Sequence, residues 1–188
     1  MSLIAIVAAL SLGQDPCPQP DTTMLALSLN DFDQTDAGWR SLEKPGCEAS
    51  AADAIALYRS INANRLADED TSTLDWHEAQ MRAAAGQTEA AIGLFEAGLP
   101  EASDATRPYH EATIAFLKRD RETFDAARAR LLALPEPEAF SRAKARYAET
   151  YPDLPPLAWP LNQDIVNGLA ACFDRPYQEA YACEKPSP

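Results

Sequence analysis

At spacings of 37 and then 36 residues, an alanine is followed four residues later by a large apolar side chain: Ala54 and Tyr58, Ala91 and Phe95, Ala127 and Leu131. The neighbouring apolar residues complete a period of 3.6. Ala91, Ile92, Phe95 and Leu99 share one helical face, as do Tyr109, Ala112, Ala115 and Phe116, and then Phe124, Ala127, Leu131 and Leu134. Small residues on such faces let helices approach closely, and the large ones fill the grooves between them. Thirty-six alanines against 7 glycines reinforce the helical reading. The expected class is all-α, in one domain with a sizeable core.

Punctuation places the elements. Residues 22–42 are mixed, with Phe32, Trp39 and Leu42 at helical spacing, and Pro45-Gly46 breaks the chain. Ser50 is expected to cap a helix that turns Ala54, Ile55, Leu57 and Tyr58 inward. Residues 62–70 read as a polar connection, followed by a helix from about Thr73 to Ala85 that Gly86 ends. Thr88 to Leu99 forms the next, and Asp104 is expected to cap another over about 106–118. Two more follow, one around Phe124 to Leu134 and one over about 137–149. Four prolines in 151–160 predict an extended strap anchored by Leu154, Leu157 and Trp159. Residues 164–173 and 176–183 then read as a closing helical hairpin.

The first residues suggest an address. Leu3 to Leu12 is an uncharged apolar run of about ten residues, half of the roughly 20 a membrane-spanning helix needs. With Ser11 and Gly13 as small residues before a cut, 1–13 reads as a signal peptide, although no Lys or Arg precedes the run. Cys17, Cys47, Cys172 and Cys183 lie in one pair near each end and include no Cys-x-x-Cys spacing, so neither zinc nor a redox dithiol is indicated. Three pairings are possible. Proximity favours Cys17–Cys47 and Cys172–Cys183, and an exported chain would hold them oxidised. The expected organisation is a signal peptide (1–13), a disulfide-tied N-terminal segment (14–49), helical repeats (50–150), and a Pro-rich strap with a capping hairpin (151–188). A periplasmic or secreted location follows.

Trp76-His77-Glu78-Ala79-Gln80 aligns with Tyr109-His110-Glu111-Ala112-Thr113, 33 residues on, and Gly86 sits between two helices, five residues before Ala91. This pattern resembles the tetratricopeptide repeat, a helix-turn-helix unit with an early aromatic in its first helix and Ala then an aromatic in its second. The resemblance covers about 53–134, is best over 76–99, and lacks the usual leucine and small-residue pair of the first helix. It implies TPR-like hairpins and a groove that binds a protein segment or peptide. Phe32-Asp33-Gln34, Gly38-Trp39-Arg40, Trp76 to Gln80, Thr113 to Leu117 and Ala171-Cys172-Phe173 also resemble segments of a group of uncharacterised proteobacterial proteins with export signals, which bears on compartment alone.

Chemistry is sparsely signalled. His77-Glu78 and His110-Glu111 occupy equivalent repeat positions. Stacked helices about 10 Å apart would allow the two imidazoles to share a metal with Glu78 or Glu111, or a His–Glu pair to act as acid and base. A helix face with a half-buried histidine explains the same residues, and no metal or cofactor is expected. Nucleophile elbows and Gly-rich phosphate loops are absent from the sequence. The net charge of −13 opposes nucleic acid and anionic lipid as partners. Half of the 16 basic residues fall between Lys118 and Arg146 and form either a solvated face or an anion-holding groove. Trp39, Trp76 and Trp159 read as gap fillers, or with Arg40 and Gln80 as the wall of a pocket. The leading expectation is therefore an exported, non-catalytic interaction module with Arg40, Trp76, His77, Glu78, Gln80, Tyr109, His110 and Glu111 as candidate binding residues. Its rivals are an enzyme or small-ligand binder centred on Trp76, His77, Glu78 and Gln80, and an inhibitor or immunity-type protein that masks a basic partner.

Overall fold

The computed structural model describes residues 17–183, so the expected signal peptide over 1–13 lies outside the described residues. Every regular element among them is helical. Both expected disulfides, Cys17–Cys47 and Cys172–Cys183, are formed.

The mixed N-terminal segment resolves into two short helices, α1 (Thr22–Leu25) and α2 (Leu29–Gln34), and a 3₁₀ turn, Trp39–Leu42. Asp21 and Ser28 cap the helices by accepting from Met24 and Asp31 backbone N–H groups. Gly38 lets the turn fold back on α2, since a Cβ there would lie 1.8 Å from the Phe32 carbonyl oxygen. The segment docks on α3 (Glu48–Asn62) through stacked Phe32 and Tyr58 rings, 3.8 Å between centroids. Tyr58 Oη donates to the Leu27 carbonyl at 3.0 Å, and the Asn62 amide donates to that of Leu25 at 3.2 Å.

Helix α3 corrects two expectations. It starts two residues before Ser50, with Cys47 at the cap position; Ser50 is buried, and its hydroxyl accepts from Gln19 at 3.3 Å. Its buried stripe is Ala51, Ala54, Ile55 and Tyr58, and Leu57, past the edge of that stripe, is 42% exposed.

The presumed connection over 62–70 is largely helix. α4 (Asp68–Ala84) starts five residues before Thr73 because Asp68, Glu69 and Asp70 complement the positive end of the helix dipole. Asp70 also accepts the Ala67 N–H at 3.1 Å. α4 lies between two cores. Leu74 and Met81 pack with Phe32, Trp39, Ile55 and Tyr58, while Ala79 and Ala83 pack toward α5 (Thr88–Gly98) and α6 (Arg107–Leu117). Gly86, at φ +75°, turns the chain from α4 into α5. Thr106, not Asp104, precedes α6, and the Ser103 and Thr106 hydroxyls bond each other at 2.9 Å. Asp120 caps α7 (Arg121–Leu132) by accepting the Thr123 N–H at 3.0 Å.

Helix α8 (Glu138–Thr150) buries no residue. Within the strap Trp159 is the anchor, donating to the Leu134 carbonyl at 3.0 Å and meeting Phe140. Leu154 is 53% exposed and anchors nothing. The chain then folds back as α9 (Gln163–Ala171) and α10 (Tyr177–Tyr181), burying Val166, Leu169, Phe173, Tyr177 and Ala180 in the second core. The basic stretch covers outer surface: Lys118 pairs with Glu96, Arg121 with Asp125, Arg130 with Glu111, Arg142 with Glu138 and Lys144 with Glu136. Arg119 reaches the Phe173 and Arg175 carbonyls and so ties the returning C-terminal segment down.

Candidate functional site

The two disulfide-tied ends meet over α4 and enclose a cleft of about 630 Å³. One wall is the N-terminal turn with Trp39, Arg40 and Lys44; the floor is Trp76, His77 and Gln80 of α4 with Tyr109 of α6; the opposite wall is Tyr177, Gln178 and Tyr181 of α10. Its volume falls in the range of about 300–1,000 Å³ that small-molecule sites occupy.

Asp33 organises the N-terminal wall. The carboxylate is 3% exposed and accepts from Trp39 Nε1 at 2.9 Å and from His77 Nδ1 at 2.7 Å. Its backbone carbonyl accepts from Arg40 Nε at 2.7 Å. Burial opposes the charge on Asp33, but the hydrogen bonds from His77 and Trp39 outweigh it and hold the carboxyl below its ordinary pKa. An ionised carboxylate has only lone pairs to offer, so Nδ1 of His77 carries the hydrogen and Nε2 is left for the cleft. The Arg40 guanidinium lies 4.4 Å from the Trp39 ring centroid. Held by that face and by the Asp33 carbonyl, it keeps its terminal nitrogens clear of protein carboxylates among the described residues.

On the other side, three tyrosine hydroxyls gather at Gln80. The amide of Gln80 donates to Tyr109 Oη over a long 3.4 Å and also acts on the hydroxyls of Tyr177 and Tyr181. Burial raises all three phenol pKa values, and mutual repulsion with Asp164, Glu43 or one another adds to it. These phenols are therefore donors, not bases. Tyr177 is 5% exposed, and its hydroxyl has no hydrogen bond of normal geometry.

Of the eight candidate binding residues, Arg40, Trp76, His77, Gln80 and Tyr109 line the cleft. The other three do not. Glu78 is buried toward α3, between Arg59 (2.9 Å) and Arg82 (3.0 Å). Glu111 pairs with Arg130. His110 stacks on Trp76, with centroids 3.7 Å apart, over a separate small hollow. Burial first, and Arg107 second, push its pKa down to about 4. Each histidine is thus diverted from its neighbouring glutamate, His77 to Asp33 and His110 to Trp76. Among the described residues no cluster of three His, Cys, Asp or Glu side chains could hold a metal. Trp39 fills the first core and is 2% exposed, whereas Trp76 serves both roles, touching Phe95 and Tyr109 while lining the cleft. Sequence reasoning missed Asp33, Tyr177 and Tyr181 as site residues. None lies in a periodic repeat position, and only the return of the chain brings the tyrosines to α4.

No family model matches the chain, and neither the curated proteins nor the solved structures searched contain a match.

Proposed function

We propose that the protein is an exported interaction module of TPR-like hairpins that receives a peptide segment in this cleft and performs no catalysis. The observation that carries the reading is the cleft itself, where four residues singled out from the repeat pattern, Trp76, His77, Gln80 and Tyr109, meet the two end segments. Aromatic walls with a few oriented polar groups are the usual makeup of a recognition site. The two disulfides support an oxidising compartment, in which such bonds persist. Trp76 and Tyr109, one repeat apart, touch at 5.3 Å between ring centroids, which supports the stacking of like hairpins.

The test is selection of a random peptide library on the oxidised protein, followed by binding to Ala182→Trp, which places an indole at the exposed rim of the cleft. Selected peptides should bind this variant at least tenfold more weakly. Equal binding to both forms would place the peptides elsewhere and sink the proposal.

The Asp33–His77 pair favours one second reading, general-base catalysis on a ligand in the cleft, since a carboxylate that fixes Nδ1 leaves Nε2 to take a proton. Ester and amide hydrolysis that vanishes in His77→Gln would support it, and activity unchanged in that variant would remove it.

A further inference from the structure

We infer that the cleft recognises a carboxylate attached to an apolar or aromatic body, and that the ligand is the C-terminal residue of a peptide. The inference rests on the peptide-binding reading and adds to it which part of the peptide is held.

The argument begins with donors. Arg40 is already fixed by the Asp33 carbonyl and the Trp39 ring, so its terminal nitrogens form an oriented fork of the kind that matches a carboxylate in two parallel hydrogen bonds. Ordering it for a ligand costs little further side-chain freedom. Lys44 stands on the same wall, and neither cation has an ion-pair partner among the described residues. Across the floor lie the Gln80 amide, already turned to the tyrosine hydroxyls, and the Tyr177 phenol, a neutral donor. The Tyr177 hydroxyl is buried and, though beside Gln80, makes no hydrogen bond of normal geometry, so it keeps a hydrogen to offer a ligand oxygen.

Acidic groups also face the cleft. Glu48 is buried and occupied, accepting the Gly46 N–H at 3.1 Å and the Gln178 amide. Glu43 is exposed at the rim beside Lys44. Neither is paired with Arg40. The remaining apolar surface is chiefly Trp76 and Tyr181, with the largely buried Trp39 behind Arg40, which suits an aromatic or large aliphatic side chain next to the carboxylate.

The chemistry has two sources, a peptide C-terminus and a free N-acylated amino acid, and the experiment separates them. A hexapeptide library with random C-terminal residues, tethered through its N-termini, is presented in free-acid and amide forms to the oxidised protein. The free-acid form should be retained at least tenfold better, with aromatic or large aliphatic last residues enriched. Arg40→Gln, verified by an unchanged melting temperature, should abolish the preference, while Lys44→Gln should only reduce it. Equal retention of acid and amide forms would overturn carboxylate recognition and leave peptide binding standing. If neither form is retained, N-acetylphenylalanine is titrated against tryptophan fluorescence. A response lost in Arg40→Gln keeps the carboxylate site and replaces the peptide with a free acid; no response overturns both.

Discussion

Asp33 and His77, 44 positions apart, are joined by a 2.7 Å hydrogen bond that fastens the N-terminal segment to α4 and aims an imidazole at the cleft. The same carboxylate holds the Trp39 indole, so one buried charge fixes two residues of the site. Asp33→Ala should cost about 3 kcal/mol, the scale for removing one partner of a buried, hydrogen-bonded charge. Asp33 titrates below its ordinary value in the folded protein, so its contribution is fully present above the unfolded pKa and is lost as pH falls through the folded one. Denaturant melts between pH 2 and 6 should show Asp33→Asn with a shallower acid limb than the wild type. Parallel curves would show that the pair contributes nothing.

His110 titrates in the opposite sense from a histidine that gains an anionic partner. Burial against Trp76 lowers its pKa to about 4, so between that value and the unfolded value near 6.5 the unfolded chain binds more protons than the folded one. Stability should rise with pH across that window and level off above it. His110→Phe keeps a ring on Trp76 and removes the titration, so its melting temperature should lose that slope. An NMR titration placing the imidazole near 6.5 would contradict the burial argument.

Glu78 is a structural residue, though its place beside His77 in the sequence suggested chemistry. It is 5% exposed and lies between Arg59 and Arg82, with Asp53 and Asp75 completing the network between α3 and α4. Glu78→Ala leaves two half-buried guanidiniums short of a partner and should cost about 3 kcal/mol. Peptide binding measured on the folded fraction should not change. A loss of binding larger than the loss of folded protein would return Glu78 to the site.

What could be read in the sequence depended on whether it was local. The stripes Ala91–Ile92–Phe95 and Phe124–Ala127–Leu131 are buried as their period predicts, and both disulfides join the nearest cysteines. Helix starts were less legible. Asp68 to Asp70 are polar enough to pass for a loop, yet their charge suits a helix N-terminus, and Ser50 has the chemistry of a cap two residues inside the helix it was meant to start. Helix α8 has no fully buried residue: Phe140 meets Trp159 yet stays half-buried, because a helical reading alone does not say how large a partner surface arrives. The cleft was half legible. Residues of the repeat predicted its floor, while Asp33 and the α10 tyrosines reach it through contacts that span tens of residues.

The disulfides stabilise the two walls of the cleft as well as the chain. Cys17–Cys47 closes a 30-residue loop that carries Trp39 and Arg40, and Cys172–Cys183 closes an 11-residue loop that carries Tyr177 and Tyr181. Restricting the unfolded chain over loops of this length is worth on the order of 3 kcal/mol for each bond. The double variant Cys172→Ser/Cys183→Ser should lose about that much stability and weaken binding beyond it, because α10 is only five residues long and borrows its position from the bond. Intact-mass measurement after alkylation, on protein secreted through an oxidising compartment, should find all four cysteines blocked before reduction and free after it. Four alkylatable thiols in that material would remove the support the bonds give to export, and wild-type binding that survives full reduction would show that the walls stand without them.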